Sequence, residues 1–302
     1  MKQIFSLVRR SIENYLQPAV LALICGAWVF LQGKVPSEWI FLGVSLSTLL
    51  VLPLFEVLFE RNSAWRSNGV EFATDFFYVL IGSAIIFLAV PVTDPYLGAL
   101  GERMGTISLW PGEAPLLARC ALAVLVSELC QYWVHRLMHS SPLWRVHAPH
   151  HHIERLNAWK NWVGHPFEIW LISLNIFPIF GAGADEVMLS LNLISTVNYF
   201  GHGNIAGDPP KWFKFVFTTL SAHSVHHSVV YADTRTNYAT TLILLDRIFG
   251  TFKNGEADPE KIGQGSRQRL SIPQQLLFPF RRPENVEKPV LTGFFSKKAD
   301  TA

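Results

Sequence analysis

An all-α, integral-membrane helical bundle is the fold this sequence predicts, and two observations predict it: long apolar runs broken by short polar connections, and a shortage of charge. Half of the 302 residues are apolar and 16% are charged, well below the roughly 25% of soluble domains. The apolar runs fall at 17–32, 39–59, 75–93, 115–134, 166–183 and 186–200. A helix needs about 20 residues to cross a hydrocarbon core of about 30 Å. By that measure the second and fourth runs are clear spans, and the first and third are adequate. The fifth and sixth are short and are joined by "GAGADE", which suits a re-entrant hairpin whose turn is covered by protein. The expected architecture is therefore four spans plus a re-entrant hairpin, or six spans.

The remaining bulk features narrow the class. A net charge of +2 provides no basic field for nucleic acid. Cys25, Cys120 and Cys130 stand singly in apolar runs, without the spacing of a disulfide framework or thiolate zinc site. The start, "MKQIFSLVRRSIENYLQP", has no small-residue cleavage site after it, so no signal peptide is expected to be removed. No internal repeat or low-complexity tract occurs. The expected organisation is N-terminal spans over 1–114, a histidine-rich domain over 115–253 and a polar tail over 254–302.

Lysines and arginines orient the bundle. With the N-terminus in the cytoplasm, that side receives Lys2, Arg9, Arg10, Arg61, Arg66, Arg136, Arg145, Arg155 and Lys160, and the other side only Lys34, Arg103 and Arg119. This satisfies the positive-inside rule. The segment 135–165 and the polar tail then fall on the cytoplasmic side. All eleven histidines lie between 135 and 227, so a topology built from hydropathy and charge gathers every imidazole at one membrane face.

The spacing of those rings points to metal. In "HRLMH", His135 and His139 stand one above the other on a helix and can reach one ion. "HAPHH" (His147, His150, His151) and "HSVHH" (His223, His226, His227) share the form HxxHH, in which one pair points to one side while the remaining ring turns toward a second centre. Neutral imidazole suits Fe, Zn, Cu and Ni, and two metals are the natural reading. His165 and His202 are delivered to the same face by helix ends, and His152 is the odd ring, a supporting donor or plain surface. Other metal chemistries are excluded by residue type. Arg136 stands where a zinc protease needs its glutamate, and no GxGxxG or CxxCH occurs. The ExxH pattern of carboxylate-bridged di-iron bundles is also missing.

Taken in order, "HRLMH", "HAPHH", "HPFE" at His165, "NYFGHGNI" at His202, "HSVHH" and "NYATTLILLDRIFGTF" resemble the fatty acid hydroxylase superfamily, or sterol desaturase family, over about 115–253. The resemblance implies a mostly helical cap on the membrane and two irons held by His135, His139, His147, His150, His151, His165, His202, His223, His226 and His227. It also implies O2 as co-substrate and a lipid C–H bond as target, hydroxylated or desaturated. The external electron donor would be a ferredoxin or a small haem or iron–sulfur carrier. Ala239 departs from the glycine common in the "NYG" block. The allowed substrates are sterols, fatty acyl chains, ether lipids and sphingoid bases. Blocks of bacterial type, "HGNI" and "DRIFGTF", favour a bacterial inner membrane with the site facing the cytoplasm, with the endoplasmic reticulum as alternative.

Around the histidines, Glu128, Glu168 and Asp246 are candidates to orient a ring through its free N–H, and Asn204 and Asn237 to hydrogen-bond nearby. Trp133, Trp144, Trp159, Trp162 and Phe200 either shape a substrate tunnel or anchor the bundle at the interface. Arg136 is placed to snorkel to headgroups. Residues 209–223, with Trp212, Phe213, Phe215 and Phe217 beside Lys211 and Lys214, read as an interfacial helix or an ordinary buried one. From a different class, a histidine-relay metal transporter or sensor is the alternative function, and it would need ionisable residues along the spans.

Overall fold

The computed structural model describes residues 2–107, 109–140, 143–174, 176–264 and 269–281. The expected polar tail beyond 281, and the side chain of Lys2, lie outside what is described. Four helices are long and apolar enough to cross a membrane: α1 (Lys2–Leu31), α2 (Ser37–Leu58), α3 (Gly69–Met104) and α4 (Leu116–Met138). Their boundaries follow from local chemistry. Pro36 and Pro115 precede α2 and α4, where a missing N–H costs nothing. The Asn68 side chain accepts from Val70 N and Glu71 N at the start of α3, and Gly105 ends it at φ 66°, a left-handed cap that glycine adopts freely. The outward faces are apolar, with Val57 and Phe87 each 78% exposed. Such surface is stable only in lipid.

After α4 come short helices that form a cap: α5 (Trp144–His151) and α6 (Pro166–Ile172), with a 3-10 turn at Ala158–Trp162 between them. The run 166–183 does not span. Its helix has seven residues, followed by a 3-10 turn at Phe177–Ile179, so it covers about 10 Å at 1.5 Å per residue. Among the described residues four helices meet the length and apolarity of a span; the run 166–183 is therefore not a spanning helix, although it carries the chain from the histidine end back to the start of the next helix. Its turn lies against α3, where a Cβ on Gly101 would stand 2.3 Å from the Ile179 carbonyl oxygen; only glycine permits that approach.

Helix α7 (Ala184–His202) is the central post. Glu186 accepts from Gly183 N at 2.7 Å, capping its start, and meets Arg119 of α4 at 3.1 Å. Trp28 of α1 donates to Asn192 Oδ1 at 2.9 Å, and Asn192 Nδ2 donates to Ser45 Oγ of α2 at 2.9 Å. Such hydrogen bonds between spans satisfy groups that lipid cannot. Because Arg119 and Glu186 both lie at helix starts, α4 and α7 run parallel and both end at histidines.

The chain continues through α8 (Lys211–Val216), α9 (Leu220–His226), α10 (Tyr231–Thr234), α11 (Leu244–Phe249) and α12 (Ile272–Leu276). The single helix expected over 209–223 is instead two, because Phe217 and Thr219 are extended. Phe213 is buried and stacks on Phe217 at 4.7 Å, while Trp212 and Phe215 are exposed, so α8 is amphipathic in its own right. Among the described residues there is no strand, only the isolated bridges Glu60–Ile205 and Ser228–Ile262.

Candidate metal centre

Nine of the eleven histidines converge at the cap end of α4 and α7, in two groups. His135 and His139 from α4, His147 and His151 from α5, and His226 from α9 form the first. His150 from α5, His202 from α7, and His223 and His227 at the end of α9 form the second. Within each group one ring nitrogen per residue lies within 4.8 Å of all the others. The two HxxHH boxes divide in opposite senses. On α5 the four-apart pair His147/His151 joins the first group and His150 the second, whereas on α9 His223/His227 joins the second and His226 the first. One turn of helix carries the four-apart rings to one face and swings the intervening ring to the other.

The far nitrogen of several rings is tied to the backbone. His135 Nδ1 donates to Tyr238 O at 2.6 Å, His226 Nδ1 to Thr236 O at 2.7 Å, His150 Nδ1 to Val163 O at 2.7 Å and His202 Nδ1 to Asn198 O at 3.0 Å. A carbonyl oxygen can only accept, so each Nδ1 carries the proton and each Nε2 presents a lone pair. Those lone pairs face one another: Nε2 of His226 and His135 are 3.0 Å apart in the first group, and Nε2 of His202 and His150 are 3.4 Å apart in the second. Two acceptors cannot hydrogen-bond. Each group therefore holds at least one pair of converging bare donors, an arrangement that a cation between them satisfies. His139 Nε2 and Nδ1 of His151, His223 and His227 are likewise buried without a partner.

Protonation does not relieve the clash. Burial holds His147 and His202 down to about 3 and His150 to about 4, and it pushes His151, His223, His226 and His227 well below the usual imidazole range, neighbouring rings adding to the effect. Glu168 is buried, and its Oε1 lies 2.6 Å from His147 Nδ1. Burial pushes its carboxyl up to about 8, and the contact fixes the orientation of the His147 ring. Nine neutral imidazoles form a donor set that fits two transition-metal ions.

The other expected residues sort by position. His165 joins neither group; it caps α6, its Nδ1 accepting from Phe167 N at 3.2 Å. His152 ends α5 with its ring 5.1 Å from Phe278, and burial lowers it to about 4. Asp246 Oδ1 and Oδ2 accept from Tyr238 N and Ala239 N, each at 2.8 Å, and Oδ1 also from Thr251 Oγ1 at 2.5 Å, which steadies the loop bearing the Tyr238 carbonyl. Glu128 Oε1 accepts from Thr241 N at 2.8 Å in the same loop. Asn237 holds φ 54° and donates to Ala222 O and Lys253 O, joining α9 to the segment at 253. Asn204 pairs with the backbone of Asn62 and so anchors the α2–α3 connection, away from the rings.

The aromatics divide as well. Trp144 is buried with its ring 5.3 Å from both His139 and His151, closing the first group. Trp162 lines a cavity at the histidines. Trp133 is 40% exposed, as an interfacial anchor would be. Trp159 donates to Leu49 O, and Phe200 packs in the core with Tyr199 and Ile205. What sequence reasoning missed is mostly backbone: the carbonyls of Val163, Asn198, Thr236 and Tyr238 carry no side-chain signal.

Comparison with known proteins agrees with this geometry. Residues 120–251 match the family model for fatty acid hydroxylase. The ornithine lipid hydroxylase OlsE of Rhizobium tropici is 28% identical over 283 residues, covering 90% of this chain and 85% of that protein. Methylsterol monooxygenase 1 of Rattus norvegicus is 27% identical over 152 residues, 48% of this chain and 50% of that protein. A very-long-chain aldehyde decarbonylase of Oryza sativa is 27% identical over 186 residues, 57% of this chain and 27% of its own length. No solved structure matches.

Proposed function

We propose that this chain, whose residues 120–251 match the family model for fatty acid hydroxylase, is a membrane-bound, di-iron, O2-dependent oxidoreductase that hydroxylates or desaturates a lipid C–H bond in lipid biosynthesis. The observation that carries the reading is the pair of facing, unprotonated Nε2 atoms in each histidine group. Bound there, two irons would supply with O2 the oxidising power that an aliphatic C–H bond demands and no side chain possesses. Hydroxylation balances with one oxygen atom entering the C–H bond and the other leaving as water, on two electrons and two protons; desaturation releases both oxygens as water. The electrons come from an external carrier, a ferredoxin or a small haem or iron–sulfur protein.

The chain's own residues hold and shield the centre. His135, His139, His147, His151 and His226 would hold one ion, and His150, His202, His223 and His227 the other. Backbone carbonyls fix four of these tautomers, and Glu168 orients the His147 ring through its contact with Nδ1. Asp246 and Glu128 keep the 238–241 loop in place. Trp144 excludes water from the first group. Both groups lie at one end of the spans, and this favours catalysis over a transport relay, which needs a path through the bilayer.

The proposed domains are membrane spans over 1–114, the catalytic unit over 115–253 and a polar tail from 254. Arg61, Arg66 and Lys160 lie at the histidine end, and Lys34 lies at the opposite end beside Gln32, which donates to Asp185, a charge asymmetry that favours a cytoplasmic site in a bacterial inner membrane. The test is lipid analysis of a host with and without the chain, expecting a gain of one oxygen or loss of two hydrogens that His226→Ala abolishes. Unaltered lipids, in a host where the purified chain carries two irons, would refute the reading.

A further inference from the structure

A cavity of about 70 Å³ is lined by His135, His147, His150, His202 and His223, and part of its remaining lining is polar without need. Gln131, Asn161 and Asn198 line it, and none of their side-chain amides hydrogen-bonds to any described residue. The Thr240 hydroxyl, in the same lining, is buried with no partner. The remainder includes apolar Met138, Ile169 and Ile172.

Position gives these amides their meaning. Gln131 precedes His135 by four residues on α4, and Asn198 precedes His202 by four on α7. Since α4 and α7 run parallel toward the cap, both amides stand one turn, about 6 Å, deeper in the bundle than the rings. Both line the cavity beside the rings. Amides facing such a space are costly when a hydrocarbon fills it, because their hydrogen bonds then go unmade, and polar groups at this depth are ordinarily functional. No lysine or arginine lines the cavity, and Glu168, its one carboxyl group, is already engaged by His147. A charged substrate group would find no counter-ion there.

We propose that Gln131, Asn161 and Asn198 recognise a neutral hydrogen-bonding group, an amide, ester or hydroxyl, that the substrate carries within about four bonds of the carbon to be oxidised, the span of one helical turn. The inference rests on the lipid-oxidation reading and narrows its substrate class: oxidation falls beside a polar linkage, and the apolar bulk remains in the bilayer.

Two measurements test it. Dodecanamide and dodecane are titrated calorimetrically into the metal-loaded full chain in detergent micelles, for wild type and for the double variant Gln131→Leu/Asn198→Leu. Expected is a preference for the amide of about tenfold, the 1.4 kcal/mol of a single hydrogen bond, falling to within about twofold in the variant at unchanged metal content. Equal binding of both probes by wild type, or a preference that survives the double substitution, overturns the assignment. Independently of any variant, tandem mass spectrometry of the oxidised host lipid should place the new oxygen or double bond near an amide, ester or hydroxyl; a mid-chain position overturns it. A wild-type chain that oxidises lipid without amide preference refutes the pocket alone. An intact preference in a chain that leaves all lipids unaltered supports the pocket and refutes the oxidation.

Discussion

Asp246 is the most informative single perturbation, because it touches no ring yet holds the loop that sets one. Its side chain is fully buried and accepts from Tyr238 N, Ala239 N and Thr251 Oγ1. In Asp246→Ala the Thr251 hydroxyl keeps Tyr132 as a partner at 2.8 Å, but the two backbone N–H groups are left buried and unpaired. At about 1–3 kcal/mol each, the loss is about 2–6 kcal/mol. Asp246→Asn retains one acceptor oxygen and turns an N–H toward the other donor, so about half that loss is expected. At roughly 2–4 °C per kcal/mol for a chain of this size, the alanine variant should unfold about 10 °C lower in detergent. The second readout is metal: freeing Tyr238 O releases the proton that fixes His135, so the first group should lose its ion before the second. An alanine variant with wild-type midpoint and full metal content would refute the claim that this carboxylate organises the loop.

Glu168→Gln should weaken metal binding about 10–100-fold, the usual cost of losing a carboxylate behind a ligating imidazole, read by competition with a chelator. His165→Ala should leave metal stoichiometry unchanged, since its Nδ1 caps α6 and the ring belongs to neither group; loss of an ion would restore it to the ligand set that the family resemblance implies. His202→Ala, which reduces the smaller group to three rings, should release that group's ion while the five-histidine group keeps its own. The metal-free chain should lose stability as pH falls. His147, His150 and His202 are held down to about 3 to 4 by burial, below their unfolded value of 6.5, so their contribution is present above pH 6.5 and declines as the pH drops toward 4. Unfolding midpoints of chelated protein at pH 7.5 and 5 measure this, and equal values would contradict it.

The sequence located the histidine cluster at one end of the bundle. Ring spacing in the three boxes reports helix faces, and hydropathy with Lys/Arg placement reports which end of the bundle they share, both of which are local or one-dimensional properties. His165 shows where that logic stops. Its motif places it among the ligands by resemblance, but whether a ring at a helix start turns inward or caps the helix depends on competition with a backbone N–H two residues away. The predicted helix over 209–223 failed for a related reason: its composition suits a helix throughout, while Thr218 N and Oγ1 bond to the carbonyls of Thr241 and Ala239 and pull the chain out extended.

From residues alone came the membrane bundle and the imidazoles at one face, because periodicity and charge are written along the chain. The tertiary structure decided how nine of them divide between two groups, which carbonyls set their tautomers, and which amides stand unpaired beside the rings. These depend on atoms brought together from helices up to about a hundred residues apart, such as His135 with Tyr238 and His226, and no local pattern encodes such a meeting.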